Sequence, residues 1–233
     1  MKNKIAKVGE TAWIFGLIFC ALGVCLTVRC DFGVSMIIAP GYILYLKLSE
    51  FIPWFTLGMS QYLVQGSLIV ALSIFMRKFK LKYIMCFFTA VVHGIFVDLW
   101  NAILQPIPCE SLLERIIFFV IGMSITSLAI ALMLRTYLPQ EVHELVVKEF
   151  SLKSKISVNK VKWVYDISFL ALGIILMICL FRTFSLEMIG IGTVVMTILN
   201  TPLITLWGKL LDKFFSFTPI SNKFYSIFEK IMD

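Results

Sequence analysis

The chain has 233 residues, of which 60% are hydrophobic and 15% charged, with a formal net charge of +7 and a mean hydropathy of +0.94. That composition leaves too little polar surface to solvate a globule of this size, which excludes an ordinary water-soluble domain. The positive balance does not imply nucleic-acid binding: the lysines flank apolar stretches, where attraction to anionic lipid headgroups accounts for them.

Six apolar stretches are predicted to cross a bilayer, each near the ~20 residues a spanning helix needs. They cover residues 12–28, 55–76, 83–104, 112–134, 163–181 and 188–211. The first follows Lys2, Lys4 and Lys7 and so resembles a signal peptide. No small-residue cleavage site follows, and the apolar run continues through Val28, so it is read as a span.

After the first span come Asp31, Phe32, Gly33, Val34 and Ser35, then an apolar run over 36–48 interrupted by Pro40 and Gly41. As helix this run reaches only about 20 Å, too short to cross. Two readings stay open. One is a re-entrant half-helix dipping in from outside, capped by Ser35, whose free amides would favour an anion or a carbonyl. The other is a plain interfacial helix.

The second span carries Gln61 and Gln65, four residues apart and therefore on one helix face. The third carries His93 and Asp98. Such side chains cost a few kcal/mol in hydrocarbon and turn towards a protein interior or a watery cavity. Residues 139–150 mix Glu141, His143, Glu144, Lys148 and Glu149 with a stripe of Leu145, Val146 and Phe150. This segment is predicted to lie on the cytoplasmic membrane surface with His143 on its solvated side. Asp166 opens the fifth span beside Lys160 and Lys162, where an interfacial ion pair accounts for it. In the sixth, Gly190 and Gly192 permit close helix approach, and Pro202 frees the Ile198 carbonyl beside Asn200. Residues 212–233 read as an amphipathic tail.

Of the 21 basic residues, 17 fall on the amino-terminal tail, the second and fourth loops and the carboxyl-terminal region. The other gaps hold only Arg29, Lys47, Arg115 and Arg182. Retention of Lys and Arg during insertion then puts both termini in the cytoplasm. Cys20, Cys25, Cys86 and Cys179 sit within spans as small apolar packers. No spacing of Cys and His suggests a metal, and no cofactor motif is present. Cys30 and Cys109 share the external side, which leaves a bond between them open.

The first and fourth spans resemble each other at an offset of 106, which carries Gly16 to Gly122, Gly23 to Ala129 and Arg29 to Arg135. A repeat of three spans must enter the membrane inverted, as the charges also require. The expected architecture is a six-helix all-α bundle, a single integral membrane domain over 1–233. Its units are 1–104, holding the half-helix, and 112–211, followed by the tail.

These placements suggest a cluster of Asp31, Ser35, Gln61, Gln65, His93 and Asp98, with Asn200 as an inner counterpart, that binds a small polar solute or a proton. Hydrogen bonds that merely join spans are the alternative meaning of the two glutamines.

The run Ala21-Leu22-Gly23-Val24, then Asp31-Phe32-Gly33-Val34-Ser35 and Pro40, and later Gly94-Ile95-Phe96-Val97-Asp98-Leu99, resembles the YitT/YczE-like family of bacterial integral membrane proteins. The Gly190 to Pro202 region is similar to that family's ending, although Met36 and Asn200-Thr201 depart from its pattern. The resemblance implies the fold and a bacterial plasma membrane but supplies no substrate. A small-solute transporter or permease is the leading expectation. The alternatives are a regulator or accessory subunit docking a protein partner through 135–162 or the tail, or a substrate-capture component working with a separate ATPase. An enzyme is not expected, because no catalytic set or phosphate loop is visible.

Overall fold

The computed structural model describes residues 8–232. The basic positions 2, 4 and 7 lie outside the described residues, as do residue 233 and the side chains of Lys223 and Lys230. Nine helices are described: α1 Gly9–Val28, α2 Ala39–Ser49, α3 Leu57–Met76, α4 Leu81–Leu104, α5 Leu112–Met133, α6 Val142–Ser154, α7 Val158–Phe181, α8 Ile191–Phe214 and α9 Asn222–Met232. Six of them, α1, α3, α4, α5, α7 and α8, are long and apolar enough to cross a membrane. Large side chains such as Ile74, Leu152 and Ile191 stand more than 70% exposed on the outside of the bundle. Only lipid covers such a surface without penalty.

The bundle is built around α1 packed on α5. Two glycine contacts fix how closely these helices approach. A Cβ on Gly23 would come within 2.8 Å of the Gly122 carbonyl oxygen, and one on Gly16 within 3.3 Å of the Ala129 carbonyl oxygen. Adding 106 to Gly16 and Gly23 gives Gly122 and Ala129, so that shift exchanges one contact for the other. A helix pair related by a local two-fold axis behaves this way. The other elements follow the same exchange: α4 packs on α1 as α8 packs on α5, and α2 lies between α3 and α7 as α6 lies between α7 and α3.

The short helices do not lie on the surface. Ala39 at the start of α2 sits against Gly173, well inside α7, while Lys47 near its end reaches the Phe181 ring where α7 ends. The helix therefore rises from mid-bundle to one face. For the second short helix the sequence expectation is corrected. Val142, which opens α6, donates its backbone N–H to Gln65 in the middle of α3, whereas Lys153 reaches the Phe75 carbonyl at the end of α3. Thus α6 also runs from mid-bundle outwards, to the opposite face from α2. Leu145 packs into a core with Ile69, Leu72 and Tyr83, and Phe150 stacks on Phe75 at 5.0 Å. The apolar stripe is real, but α3 and α4 cover its Leu145 and Val146, while Phe150 stays partly exposed beside Phe75. Glu149, in contact with Lys82 at 2.7 Å and Lys80 at 3.3 Å, is buried as an ion pair instead of solvated.

Backbone pairing secures the chain leading into each half-helix. Val34 donates to the Met188 carbonyl, Gly192 donates to that of Phe32, and the Thr193 hydroxyl donates to that of Val34. Gly33 stands at φ +91 with the Gly190 backbone against it, a position that only glycine fills without strain. On the other side the Thr89 hydroxyl and the Trp13 indole N–H both donate to the Pro139 carbonyl. The start of α1 and the segment after α8 meet at the face where α6 ends. There Val8 and Gly9 donate to the Ser216 and Thr218 carbonyls, and Glu10 accepts from Ile220, Ser221 and the Tyr137 hydroxyl.

The packing sets opposite expectations for two glycines. Gly23→Ala should lower the melting temperature of the detergent-solubilised protein, since the added methyl enters the α1–α5 seam and overpacking costs about 1–3 kcal/mol. Gly66→Ala should raise it, because its Cβ meets only the Phe87 ring at an ordinary 3.6 Å and helix propensity contributes about 0.5–1 kcal/mol. Thermal unfolding followed by size-exclusion chromatography reads both.

Candidate functional site

Three elements bring the central polar groups together. His93 lies twelve residues into α4, or about 18 Å from its start, and is 1% exposed. Its Nδ1 stands 3.4 Å from Oε1 of Glu141, the residue just ahead of α6. Gln65 completes the arrangement. Its Nε2 donates to Oε2 of Glu141 at 3.3 Å, while its Oε1 accepts the Val142 backbone N–H at 3.1 Å. One amide thus caps the start of α6 and orients the carboxylate. Burial pushes the Glu141 carboxyl above its ordinary value, opposed by His93 and by the Gln65 hydrogen bond.

A narrow cavity of about 60 Å³ lies beside this group. Its lining repeats at the offset of 106: Cys20 with Thr126, Val24 with Ile130 and Thr27 with Met133 on α1 and α5, then Ser35 with Glu141, Ile37 with His143 and Ile38 with Glu144 where the half-helices begin. The cavity therefore sits where the two half-helix starts meet. Asn200 also lines it, accepting from the Ser127 hydroxyl at 2.9 Å. A larger cavity of about 290 Å³ abuts it through Ile130, Leu134 and Glu144 and continues between α7 and α8 past Lys162, Asp166, Thr201 and Thr205. Lys162 there bridges Glu144 at 3.6 Å and Asp166 at 3.3 Å, the ion pair expected for Asp166 with an added partner.

The residues singled out from sequence divide. Ser35, His93 and Asn200 line the central cavity, and Gln65 backs it. Gln61 shares the inward face with Gln65, but its amide lies against Gly41 and has no hydrogen-bond partner among the described residues. Asp98 stands elsewhere. It accepts from the Thr56 hydroxyl at 2.7 Å and the Gly58 N–H at 2.8 Å, closing the start of α3. Nearby, Trp100 donates to the Ile18 carbonyl, and Asp31 pairs with Arg115 at 3.3 Å on the half-exposed rim. Cys30 and Cys109 stand as free thiols, with Cys30 Sγ donating to the Leu26 carbonyl.

Two residues sit where the sequence pattern does not place them. His143 is 2% exposed rather than solvated: its Nδ1 lies 2.7 Å from the Tyr165 hydroxyl, and burial holds the imidazole down at about 4. Glu141 was assigned to a surface segment. Carrying Ser35 forward by 106 lands on Glu141, so the repeat itself held the signal. Likewise, no metal-ligand spacing is visible in the sequence, yet the fold gathers Cys20, His93 and Glu141 with their ligating atoms within 4.8 Å of one another.

Six spanning helices, half-helices starting at mid-depth and a cavity between them define a multispanning membrane protein. The chain belongs to a family of unknown function, DUF6198, whose profile matches residues 9–209. Comparison with curated proteins and with solved structures gives no match.

The two glutamines should respond differently to removal of the amide. Gln65→Met leaves the Val142 N–H and one Glu141 oxygen unpaired and should cost about 1–3 kcal/mol of stability. Gln61→Met removes an amide that already lacks a partner and should be neutral or stabilising. Thermal melts of the two variants in the same detergent make the comparison.

Proposed function

We propose that the chain is a transporter or permease of a small polar solute in the bacterial plasma membrane, with both termini in the cytoplasm. One observation carries this reading: the buried cavity lies where two oppositely directed half-helices begin, and its lining exchanges under the 106-residue shift. Inverted units with interrupted helices at mid-depth are how secondary transporters build a site that either side can reach. The helix starts supply backbone N–H groups, while Ser35, His93, Glu141 and Asn200 supply side chains of differing character. The charge distribution over the loops supports the orientation. The resemblance to the YitT/YczE-like proteins rests on short motifs and is proposed as a relationship within the same fold.

The cavity between α7 and α8 supports a path from the centre towards the face bearing the start of α1. Closing that side and opening the other would expose the same residues alternately. A regulator or a substrate-capture subunit would keep the central cavity but never turn it over.

Single cysteines at Ser35 and Asn200, placed in a background with the native thiols replaced, separate these readings. The transport reading predicts labelling by a membrane-impermeant maleimide in right-side-out and in inverted vesicles alike. Labelling confined to one vesicle orientation contradicts it.

A further inference from the structure

Cys20 of α1, His93 of α4 and Glu141 ahead of α6 meet at the centre of the bundle, all of them buried or nearly so. We propose that these three side chains form a binding site for a divalent transition-metal cation of the zinc class. Such a cation is then the solute of the central cavity. That last clause rests on the transport reading above, whereas the site stands on its own geometry.

The first support is an unmet need. Neither ring nitrogen of His93 makes a hydrogen bond among the described residues, Nδ1 meeting only the Glu141 carboxylate at ion-pair distance, although the residue is 1% exposed. Buried polar atoms are normally satisfied, and an orphaned imidazole calls for a ligand. The second is the donor set. Thiolate, imidazole and carboxylate together suit zinc and its neighbours, whereas magnesium and calcium take oxygen ligands. The third is spacing. Donors at about 2.0–2.3 Å from a tetrahedral ion stand roughly 3.5 Å apart. His93 Nδ1 and Glu141 Oε1 already stand at 3.4 Å, and the group as a whole lies within 4.8 Å, a gap that a rotamer adjustment of about 1 Å closes.

Charge and support agree with this. A divalent cation with one thiolate and one carboxylate is neutral overall, the least costly state for a metal at mid-membrane depth. Coordination breaks the Cys20 S–H bond and forms a sulfur–metal bond; the proton leaves through the cavity, and no electron is transferred. Gln65 holds the second oxygen of Glu141 and so acts as a positioning residue, like the outer hydrogen bonds that orient metal ligands elsewhere. Three protein donors leave the fourth position open towards the cavity, as in sites that exchange what they bind.

Zinc content of the full-length protein after equilibrium dialysis in detergent is expected at one ion per chain, and cobalt in its place should give a thiolate-to-metal charge-transfer band. Cys20→Ser should abolish that band and, like His93→Gln, weaken zinc binding by about tenfold or more. Cys25→Ser, one thiol farther along α1, should leave both unchanged. Gln65→Met should weaken affinity while keeping the band, a result that a merely structural role would not give. Cobalt bound without a thiolate band, or zinc well below one per chain in the unmutated protein, overturns the site whatever the variants do. One zinc per unmutated chain, with one-sided labelling of the single-cysteine variants, would keep the site and remove transport; two-sided labelling of those variants, with no zinc in the unmutated chain, would do the reverse.

Discussion

A helix that begins inside a membrane protein leaves backbone N–H groups where bulk water cannot reach them, and each must find a partner. In α6 the first of these groups is met by Gln65, a side chain from the middle of another span. The same amide then fixes Glu141, and Glu141 in turn faces His93. The depth of α6, the aim of the carboxylate and the polarity of the cavity all follow from that one capping interaction. It also explains how a segment with so many charges enters the bundle. Glu149 is neutralised by Lys80 and Lys82 at the outer end of α6, and Glu144 by Lys162.

The near-symmetry of the bundle gives the site its form. With α1 and α5 locked by Gly16, Gly23, Gly122 and Ala129, the two half-helices start on either side of one axis and point to opposite faces. The departures from symmetry are as informative. Helices α3 and α4 pack along their length, but α7 and α8 do not, and the larger cavity occupies the space between them. One unit is thus closed and the other parted, with Lys162 set among the carboxylates of the opening.

The six spans, and a helix after the first that is too short to cross, were legible because hydropathy and length decide them; whether that short helix enters the bundle was not, since its depth depends on α3 and α7. The inward face of Gln61 and Gln65 was legible for the same reason, from helical spacing alone. The depth of α6 was not. Glu141, His143 and Glu149 read as a solvated face, because the groups that satisfy them, Gln65, Tyr165 and Lys82, are distant in sequence. Asp98 was drawn into the site by its position in a span, while its actual role depends on Thr56 and Gly58, about forty residues away. Local pattern gave no means of telling a carboxylate that caps a neighbouring helix from one that binds a solute. The offset of 106 was visible, and applied beyond the spans it would have set Glu141 opposite Ser35.

The insertion of α6 is tested most directly by cysteines introduced together at Ile69 and Leu145, which leave the Gln65 cap intact, joined by a short bifunctional thiol reagent in native membranes and read by mass spectrometry. These residues pack in one core between α3 and α6, so an intramolecular cross-link is expected. No cross-link, with the cysteine at 145 instead freely alkylated from the face bearing the start of α1, would put α6 on the membrane surface and contradict the account.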